Sequence, residues 1–253
     1  MPLTFAHPAA ILPFSRKSRS IHFSALILGS MAPDFEYFLR GRPMGEIGHT
    51  FAGFVWFNLP LVILVYFIYQ LFVHETLFNH LPICLQDPYI KRIDSNGIVK
   101  AFVFCYSALF GMITHVVWDS FTHINGYMVL KFPEFFTYST NIYGFSIPFY
   151  KFLQHGSTLS GLTIILVYMY VRASSQRNQS PICVSTKRKL IFWSSISLLA
   201  VVFVFLWYLM DYISIMSYGV VVVRMIDSFL LSLLVSSLVI KYKLLAYDMP
   251  QKK

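Results

Sequence analysis

The sequence predicts an all-α integral membrane protein, a bundle of about five spanning helices with a short N-terminal re-entrant or interfacial helix. The 253 residues are 57% hydrophobic and only 12% charged, whereas soluble domains carry about a quarter charged residues. Apolar stretches long enough to cross a hydrocarbon core of about 30 Å recur along the chain. The net charge is +9, and the basic residues cluster beside these stretches. We therefore expect them to set the membrane topology and to contact anionic lipid head groups rather than nucleic acid.

The N-terminal part is apolar but contains no predicted span. Met1 to Phe14 is interrupted by three prolines and therefore cannot form one spanning helix. Ile21 to Ala32 is apolar but too short to cross a bilayer, so we expect a half-buried or re-entrant helix that ends at Pro33. We expect no cleavable signal peptide, because no basic residue precedes the first apolar run.

Five later segments are the predicted spans. Pro60 is expected to kink the first of them, and a polar loop from His74 to Gly97 is expected to follow it. Asn125 to His155 is rich in aromatic residues, which is typical of the head-group layer. The spans are Phe51 to Val73, Ile98 to about Thr122, Leu159 to Val171, Leu190 to Met210 and Val220 to Ile240.

The distribution of basic residues predicts the orientation of these spans. The loop from Arg172 to Lys189 contains basic residues and no acidic one, so it is predicted to be cytoplasmic. The turn with Asp211 is then outside, and the C-terminus is cytoplasmic. The other basic residues assigned to the cytoplasm are Lys91, Arg92, Lys241, Lys243, Lys252 and Lys253, whereas the re-entrant helix leaves Arg16, Lys17 and Arg19 outside, against the rule. His49, His123 and His155 are therefore expected at the outer face.

The most informative stretch is GMITHVVWDSFTH, in which His115, Asp119 and His123 follow one another at intervals of four. Such residues line one stripe of a helix, and ionisable groups at membrane depth indicate a functional site. A His and a carboxylate one turn apart can bind the same metal ion. His115 and His123 lie about 12 Å apart along the axis, so two ions that share Asp119 fit better than one. Alternatively, Asp119 accepts a structural hydrogen bond from His115.

Other polar residues receive structural interpretations. Arg224 and Asp227 lie three positions apart and are expected to neutralise each other, with phosphate binding by Arg224 as the alternative. The three cysteines match no metal or redox spacing and are expected to be free thiols. Three further histidines have no acidic partner at helical spacing and are left out of the site. The cysteines are Cys84, Cys105 and Cys183, and these histidines are His22, His74 and His80.

Several segments together resemble a known family. PLTFAHPAAILPF, SALILGSMAPDFEYF, GHTFAGFVWFNLPL, THVVWDSFTH and YKFLQHGS resemble the bacterial membrane family catalogued as domain of unknown function 4184. The resemblance extends to about Leu162. We expect one integral-membrane domain over residues 1–253, with the site in residues 1–162 and C-terminal helices in residues 163–253. The resemblance implies a bacterial protein, and we expect it in the inner membrane.

The order of the polar residues is also similar to the ligand order of zinc-dependent phospholipase C, of related nucleases and of membrane-bound metal-dependent hydrolases. This similarity implies that Asp119 bridges two ions and that Asp34, His49, His115 and His123 are further metal ligands. His7 and His155 would be additional ligands or a general acid, and with Asp119 they are the candidate catalytic residues. The sequence departs from those enzymes at Leu159, where a second His-x-x-x-acid pair would need an acid.

These residues predict a metal-dependent hydrolase. Imidazoles with carboxylates favour zinc, and manganese is the alternative. Two such ions stabilise the charge that develops during hydrolysis of a phosphoester, or less favourably of another ester, on an amphiphilic substrate among membrane lipids. Three other classes remain open: a small transporter with a polar pathway, a haem-binding bundle and a structural membrane protein.

Overall fold

The computed structural model describes residues 3–14, 16, 18–86, 97–175 and 184–248, the last six of these by their backbone alone. Some residues used in the topology prediction lie outside the described residues or outside the described side chains. They are Lys17, Lys91, Arg92, Arg177, Lys243, Lys252 and Lys253, and Cys183 lies outside as well. The cytoplasmic C-terminus accordingly stays a prediction, whereas Cys84 and Cys105 are confirmed as free thiols.

Helices account for nearly all of the described secondary structure. Short 3₁₀ helices also occur at Thr4–Ile11, Ala32–Asp34 and Ile83–Leu85. The elements are α1 (Phe23–Met31), α2 (Phe35–Arg40), α3 (Phe51–His80), α4 (Gly97–Thr122), α5 (Tyr127–Lys131), α6 (Pro133–Phe136), β1 (Ser139–Ile142), β2 (Phe145–Pro148), α7 (Phe149–Ser175), α8 (Thr186–Met210) and α9 (Tyr218–Asp248).

Five helices in the described part of the chain are long and apolar enough to cross a membrane: α3, α4, α7, α8 and α9. This confirms the predicted all-α fold and the number of spans. Large apolar side chains on these helices are exposed, among them Leu198, Val201 and Leu209 on α8. Such surfaces are compatible with lipid and would be costly in water.

Two predicted boundaries are wrong. The polar segment from His74 to His80 continues α3 rather than forming a loop, because His80 is buried and its Nδ1 lies 2.7 Å from the carbonyl oxygen of Thr76. α7 begins at Phe149 rather than Leu159. Its polar first turns remain helical because hydroxyl groups bond back to helix carbonyls, as Thr158 does to Gln154 at 2.9 Å.

α3 contains two π-helical turns, Phe54–Asn58 and Tyr69–Val73. The first of them ends two residues before Pro60, which was expected to kink the helix. Proline has no N–H to donate, so the ordinary α-helical ladder cannot continue through this position. Membrane helices tolerate such local changes where neighbouring groups satisfy the backbone.

The chain divides into two compact units, and α3 contributes to both of them. The first unit comprises Met1–Phe35, Glu46–Ile63 and Tyr89–Val171, and the second comprises Glu36–Gly45, Leu64–Pro88 and Arg172–Lys253. All candidate site residues belong to the first unit. Its core contains buried side chains of α1, α3 and α4, among them Ala25, Val62 and Met112.

α1 is a short helix that packs closely along α4. A Cβ atom at Gly29 would overlap the backbone carbonyl of Ala108, and one at Gly111 would overlap the carbonyl of Leu26. Only glycine therefore permits this separation of the two backbones, as at close helix crossings in membrane proteins. α1 has nine residues and is too short to cross a bilayer, as predicted.

The N-terminal 3₁₀ helix packs in the same unit against α7. The backbone N–H of Leu3 donates a hydrogen bond of 3.1 Å to the Thr158 hydroxyl. A Cβ atom at Gly161 would approach Ala6 to 3.0 Å. The 3₁₀ helix also packs against α1 and α4, and most of it is buried, including His7.

The aromatic segment between α4 and α7 contains an antiparallel hairpin, which was not predicted from the sequence. Strands β1 and β2 are joined by Tyr143 and Gly144, both with positive φ angles of 49° and 83°. This is the conformation of a tight two-residue hairpin turn, in which glycine is favoured. The fully exposed Tyr143 and its exposed neighbours are compatible with the expected head-group layer.

The second unit is organised around packing between α8 and α9. Its buried core includes Val73, Phe192, Ile196 and Leu233. Polar groups are satisfied at several points of the unit. The indole N–H of Trp193, for example, donates to the carbonyl of His80 at 3.0 Å.

The predicted pair of Arg224 and Asp227 is wrong, because Arg224 binds Asp211 instead. Its Nη2 lies 2.5 Å from the Asp211 carboxylate and its Nη1 donates to the Asp211 carbonyl at 2.7 Å. The guanidinium also stacks over Trp207 at 4.8 Å. Asp211 begins the turn after α8, and that turn brings its carboxylate back to the first turns of α9. A planar guanidinium can bind two oxygens of Asp211 at once. This arrangement is more favourable than a single contact with the Asp227 carboxylate one turn away on the same helix.

Candidate metal centre

Four residues from three segments of the first unit converge on one point. Asp34 ends the 3₁₀ turn that follows α1, His49 lies just before α3, and His115 and Asp119 stand one turn apart on α4. One ligand atom from each residue lies within 4.8 Å of all the others. Four of the predicted ligands are thus brought together by the fold.

The ring of His115 is oriented by α1. Its Nδ1 lies 2.8 Å from the backbone carbonyl oxygen of Ser30, which can only accept a hydrogen bond. Nδ1 therefore carries a proton, and Nε2 on the opposite side of the ring faces the other candidate ligands. The close crossing at Gly29 and Gly111 brings this carbonyl within reach of the ring.

Asp34 is fully buried and is fixed by the N-terminal segment. The Thr4 hydroxyl donates a 2.6 Å hydrogen bond to its Oδ2, and its Oδ1 faces the Nε2 atoms of His49 and His115, each at 3.6 Å. Burial favours a higher pKa for the Asp34 carboxyl, but the nearby His115 and the Thr4 hydroxyl outweigh it and hold the pKa below its ordinary value. The group is therefore a carboxylate at neutral pH.

His49 is held by the beginning of α3. The Thr50 hydroxyl caps the helix by accepting the Gly53 N–H at 2.9 Å. Asn58, which is completely buried, donates a 2.6 Å hydrogen bond to the carbonyl of Gly48. The backbone on both sides of His49 is therefore anchored, while its side chain remains 30% exposed.

Asp119 presents each of its two carboxylate oxygens to a different pair of histidines. Oδ2 lies 3.1 Å from Nε2 of His115 and 3.7 Å from Nε2 of His49. Oδ1 lies 3.6 Å from Nε2 of His7 and 3.4 Å from Nδ1 of His123. The side chain occupies the middle of the polar group.

The separations within the four-residue group match those of metal ligands. Four of the six separations lie between 3.1 and 3.7 Å, and all six are at most 4.8 Å. Ligands at 2.0–2.1 Å from an ion are about 3.3 Å apart in a tetrahedron and about 2.9 Å apart in an octahedron. The observed values are closer to the tetrahedral arrangement.

A structural network of hydrogen bonds explains the group less well. Asp34 Oδ1 and His115 Nε2 are buried without a hydrogen-bond partner among the described residues, although carboxylate and imidazole stand next to each other. Even the 3.1 Å approach of His115 to Asp119 lacks hydrogen-bond alignment. Buried polar atoms are normally paired, so an ion shared by these atoms accounts for them better than direct hydrogen bonds do.

His7 completes one side of the group. It stacks on His115 with ring centroids 3.8 Å apart, and its edge meets Trp118. Burial, together with repulsion from His115, lowers the pKa of His7 from 6.5 to about 3, so the ring is neutral at physiological pH. Both ring nitrogens are buried with no hydrogen-bond partner in the described part of the chain.

The other two predicted histidines lie further out. His123 follows the end of α4, and its Nδ1 faces both Asp119 Oδ1 and the Asp119 backbone carbonyl, the latter at 3.3 Å. Burial lowers the pKa of His123, although Asp119 opposes this effect. His155 is exposed on α7, whereas its neighbour Gln154 is buried. Its predicted catalytic role stays a prediction.

Three supporting residues were missed in the sequence: Thr4, Ser30 and Asn58. Small residues on both α1 and α4, such as Gly29 and Gly111, were an available signal for the contact at Ser30, since they favour close helix crossings. Nothing in the local pattern distinguishes Thr4 or Asn58 from an ordinary polar residue.

Comparison with protein-family models matches residues 1–239 to the family described as Domain of unknown function (DUF4184). The chain belongs to this family. The match includes all candidate site residues, from His7 to His155. No curated protein and no solved structure matches the chain.

Proposed function

We propose that this DUF4184 protein is a membrane-embedded, metal-dependent hydrolase that acts on a phosphoester, or less favourably another ester, of an amphiphilic substrate. The observation that carries the proposal is the convergence of Asp34, His49, His115 and Asp119 on one point, where Oδ1 of Asp34 and Nε2 of His115 are buried without a hydrogen-bond partner among the described residues. Two imidazoles and two carboxylates at tetrahedral spacing favour zinc, with manganese as the alternative.

The depth of the site supports an amphiphilic substrate. Asp119 lies three residues before the end of α4 and His115 seven residues before it. At 1.5 Å per residue these positions are about 5 and 10 Å from the helix end. A site at this depth is close to the level of lipid head groups, where a polar ester bond adjoins an apolar tail.

A bound divalent ion would lower the pKa of a water molecule and withdraw charge from an ester oxygen. The oxygen of water forms a new bond to phosphorus, the bond from phosphorus to the leaving alkoxide breaks, and the alkoxide takes up a proton. Asp34 and Asp119 would supply the negative charge that retains the ion. His49 and His123 are partly exposed, so we expect substrate to approach the site past these two side chains.

The order of the ligands along the chain gives further support, since it is similar to that of zinc-dependent phospholipase C. His155, exposed near the beginning of α7, is the proposed proton donor to the leaving group. The assignment of His155 does not depend on the metal ligands. It can therefore be wrong while the assignment of the metal ligands is correct.

Metal content and hydrolysis test the proposal together. Protein purified in detergent would be assayed by mass spectrometry for zinc and manganese, and then with a chromogenic phosphodiester and fluorescent phospholipids. We expect bound metal and turnover in the wild type, loss of both in Asp34→Asn and Asp119→Asn, and little change in His74→Ala. Absence of metal from the wild type after incubation with zinc and manganese would refute the proposal, and equal turnover in all four proteins would do so too.

A further inference from the structure

We propose that the second unit binds one anionic phospholipid in a cavity lined by α3, α8 and α9. The cavity has a volume of about 970 Å³, and all the residues that line it belong to the second unit. Ligand pockets typically have volumes of about 300–1,000 Å³, mostly apolar walls and a few polar groups. The candidate residues for hydrolysis belong to the first unit, so this binding site goes beyond the proposed function.

The apolar part of the cavity has the length of a lipid tail in one leaflet. Its walls include Leu71 and Phe72 of α3 and Val239 of α9. Along α8 the lining residues extend from Arg188 to Leu199, which is about 16 Å at 1.5 Å per residue. This length is roughly half of a hydrocarbon core of about 30 Å, so the cavity can hold an acyl chain that ends near the middle of the bilayer.

Two cationic side chains line the same cavity, Arg188 and Lys241. Arg188 lies in the first turn of α8 and makes no hydrogen bond or ion pair with the described residues. The Lys241 ammonium donates to the Leu71 carbonyl, but it has three donors and can bind a phosphate oxygen as well. Glu75 also lines the cavity, yet it pairs with neither cation in the described part of the chain. The positive balance favours an anionic head group.

Two buried polar atoms in the cavity wall have no hydrogen-bond partner among the described residues: the Ser236 hydroxyl and Oδ1 of Asn79. Ser236 is only 6% exposed. A serine in a membrane helix usually bonds back to the carbonyl four residues earlier, as Ser232 does to Ser228 at 2.6 Å. Because Ser236 makes no such bond, its hydroxyl is available to an ester or phosphate oxygen. A purely apolar groove for lipid tails would leave both groups unexplained.

The wall of the cavity is held in place by contacts between helices. Leu71 and Phe72 belong to the second π-helical turn of α3, and such turns occur frequently at functional sites. The Lys241 ammonium that binds the Leu71 carbonyl also lies 5.7 Å from the centroid of the Phe72 ring. Just beyond the end of α3, Lys189 donates to the Leu81 carbonyl at 2.6 Å. The site is therefore largely formed before a lipid enters, which reduces the entropy lost on binding.

Native mass spectrometry of delipidated protein in a non-ionic detergent tests the head-group preference. The protein would be titrated with phosphatidylglycerol, with phosphatidylcholine of the same acyl chains and with inorganic phosphate. We expect one phosphatidylglycerol per chain to bind about fivefold more tightly than phosphatidylcholine, and inorganic phosphate to bind more weakly than either lipid. Equal affinity for the two lipids would overturn the proposal, and so would tighter binding of inorganic phosphate than of phosphatidylglycerol.

Two variants with matched controls test the residues. Arg188→Gln should lower the affinity for phosphatidylglycerol about fivefold, and Ser236→Ala should lower it by roughly two- to tenfold through the lost hydrogen bond. Lys187→Gln removes the same charge from the neighbouring exposed position, and Ser197→Ala removes an exposed hydroxyl that bonds to the Trp193 carbonyl. Neither control residue lines the cavity, so both controls should bind the lipid as the wild type does.

Thermal unfolding and metal content of the same proteins separate this proposal from the proposed hydrolase. All four substitutions remove a group without adding bulk, so we expect folded proteins with the metal content of the wild type. Equal affinity for phosphatidylglycerol in the two variants and their controls would overturn the lipid site and leave the hydrolase intact. Absence of metal from the wild type, with the lipid preference retained, would refute the hydrolase and support the lipid site.

Discussion

The Nδ1 atom of His115 on α4 lies 2.8 Å from the backbone carbonyl oxygen of Ser30 on α1, across 85 positions of sequence. This hydrogen bond directs the opposite nitrogen of the ring toward both aspartates of the site. Its length depends on the glycine-mediated crossing of the two helices. The helix packing and the metal centre are therefore parts of one arrangement.

The first prediction concerns that crossing. Gly111→Ala places a Cβ atom against the Leu26 carbonyl and the backbone of Gly29 and Ser30. We expect a loss of about 1–3 kcal/mol in the free energy of unfolding, since a closely packed interface must open. Metal retention should fall as well, because His115 moves away from Ser30. Thermal unfolding in detergent and metal content measure the two effects.

Gly156→Ala is the matched control, because it lies in helix α7 and a Cβ atom there meets nothing within 4 Å. Alanine favours a helix over glycine by up to about 1 kcal/mol, so this variant should be as stable as the wild type or more stable. Equal stability and metal content of Gly111→Ala and Gly156→Ala would show that the crossing does not support the site.

The second prediction concerns the support of Asp34. Thr4→Val removes the hydroxyl that donates to Oδ2 at 2.6 Å and keeps the shape of the side chain. Outer-shell hydrogen bonds of this kind typically contribute 10–100-fold to metal affinity, so zinc affinity should fall by roughly that factor. Competition with a chromophoric chelator measures it.

Thr163→Val is the control for this substitution. Thr163 is exposed, and its hydroxyl donates to the Leu159 carbonyl of the same helix at 2.8 Å. Its removal should leave zinc affinity unchanged. An equal affinity in both variants would contradict a supporting role for Thr4.

The third prediction concerns Arg224 in the second unit. A double-mutant cycle should give a coupling of about 1–2 kcal/mol between Arg224 and Asp211, a value reduced by the half-exposed carboxylate. The same cycle with Asp227 should give a coupling near zero. Arg224→Met, Asp211→Asn and Asp227→Asn, singly and in pairs, would be compared by thermal unfolding. A larger coupling to Asp227 would contradict the observed pairing.

The fourth prediction concerns the pH dependence of metal-free protein. The pKa of His7 is lowered by burial from 6.5 to about 3, so between these values the unfolded chain binds a proton that the folded chain does not. The free energy of unfolding is therefore not reduced by His7 above pH 6.5, and it decreases as the pH falls from 6.5 toward 3. The groups that face His7 are His115, Asp119, Asp34 and His123, and they remain in the His7→Phe variant.

Unfolding temperatures of chelator-treated wild type and His7→Phe would therefore be compared from pH 7 to pH 4. We expect a steeper loss of stability in the wild type, since only it contains the buried imidazole. Parallel curves for the two proteins would mean that His7 does not titrate in this way.

Local periodicity and composition were sufficient to predict much of this protein. Hydropathy predicted the spanning helices, because a bilayer rewards a continuous apolar length that is visible in the sequence. The helical repeat placed His115, Asp119 and His123 on one stripe, because their spacing is fixed by backbone geometry. The order of the polar residues along the chain led us to predict Asp34 and His49 as metal ligands. The fold brings both of them close to His115.

Tertiary structure decided the contacts between segments that are distant in sequence. Ser30, Thr4 and Asn58 support the site through hydrogen bonds to groups on other segments, so no local pattern marks them. The pairing of Arg224 with Asp211 depends on how a turn folds back, which helical spacing does not specify. His7 and His155 are both isolated histidines in the sequence, yet one is buried against His115 and the other is exposed. Burial depends on which face of an element meets its neighbours, and only the packed chain fixes that.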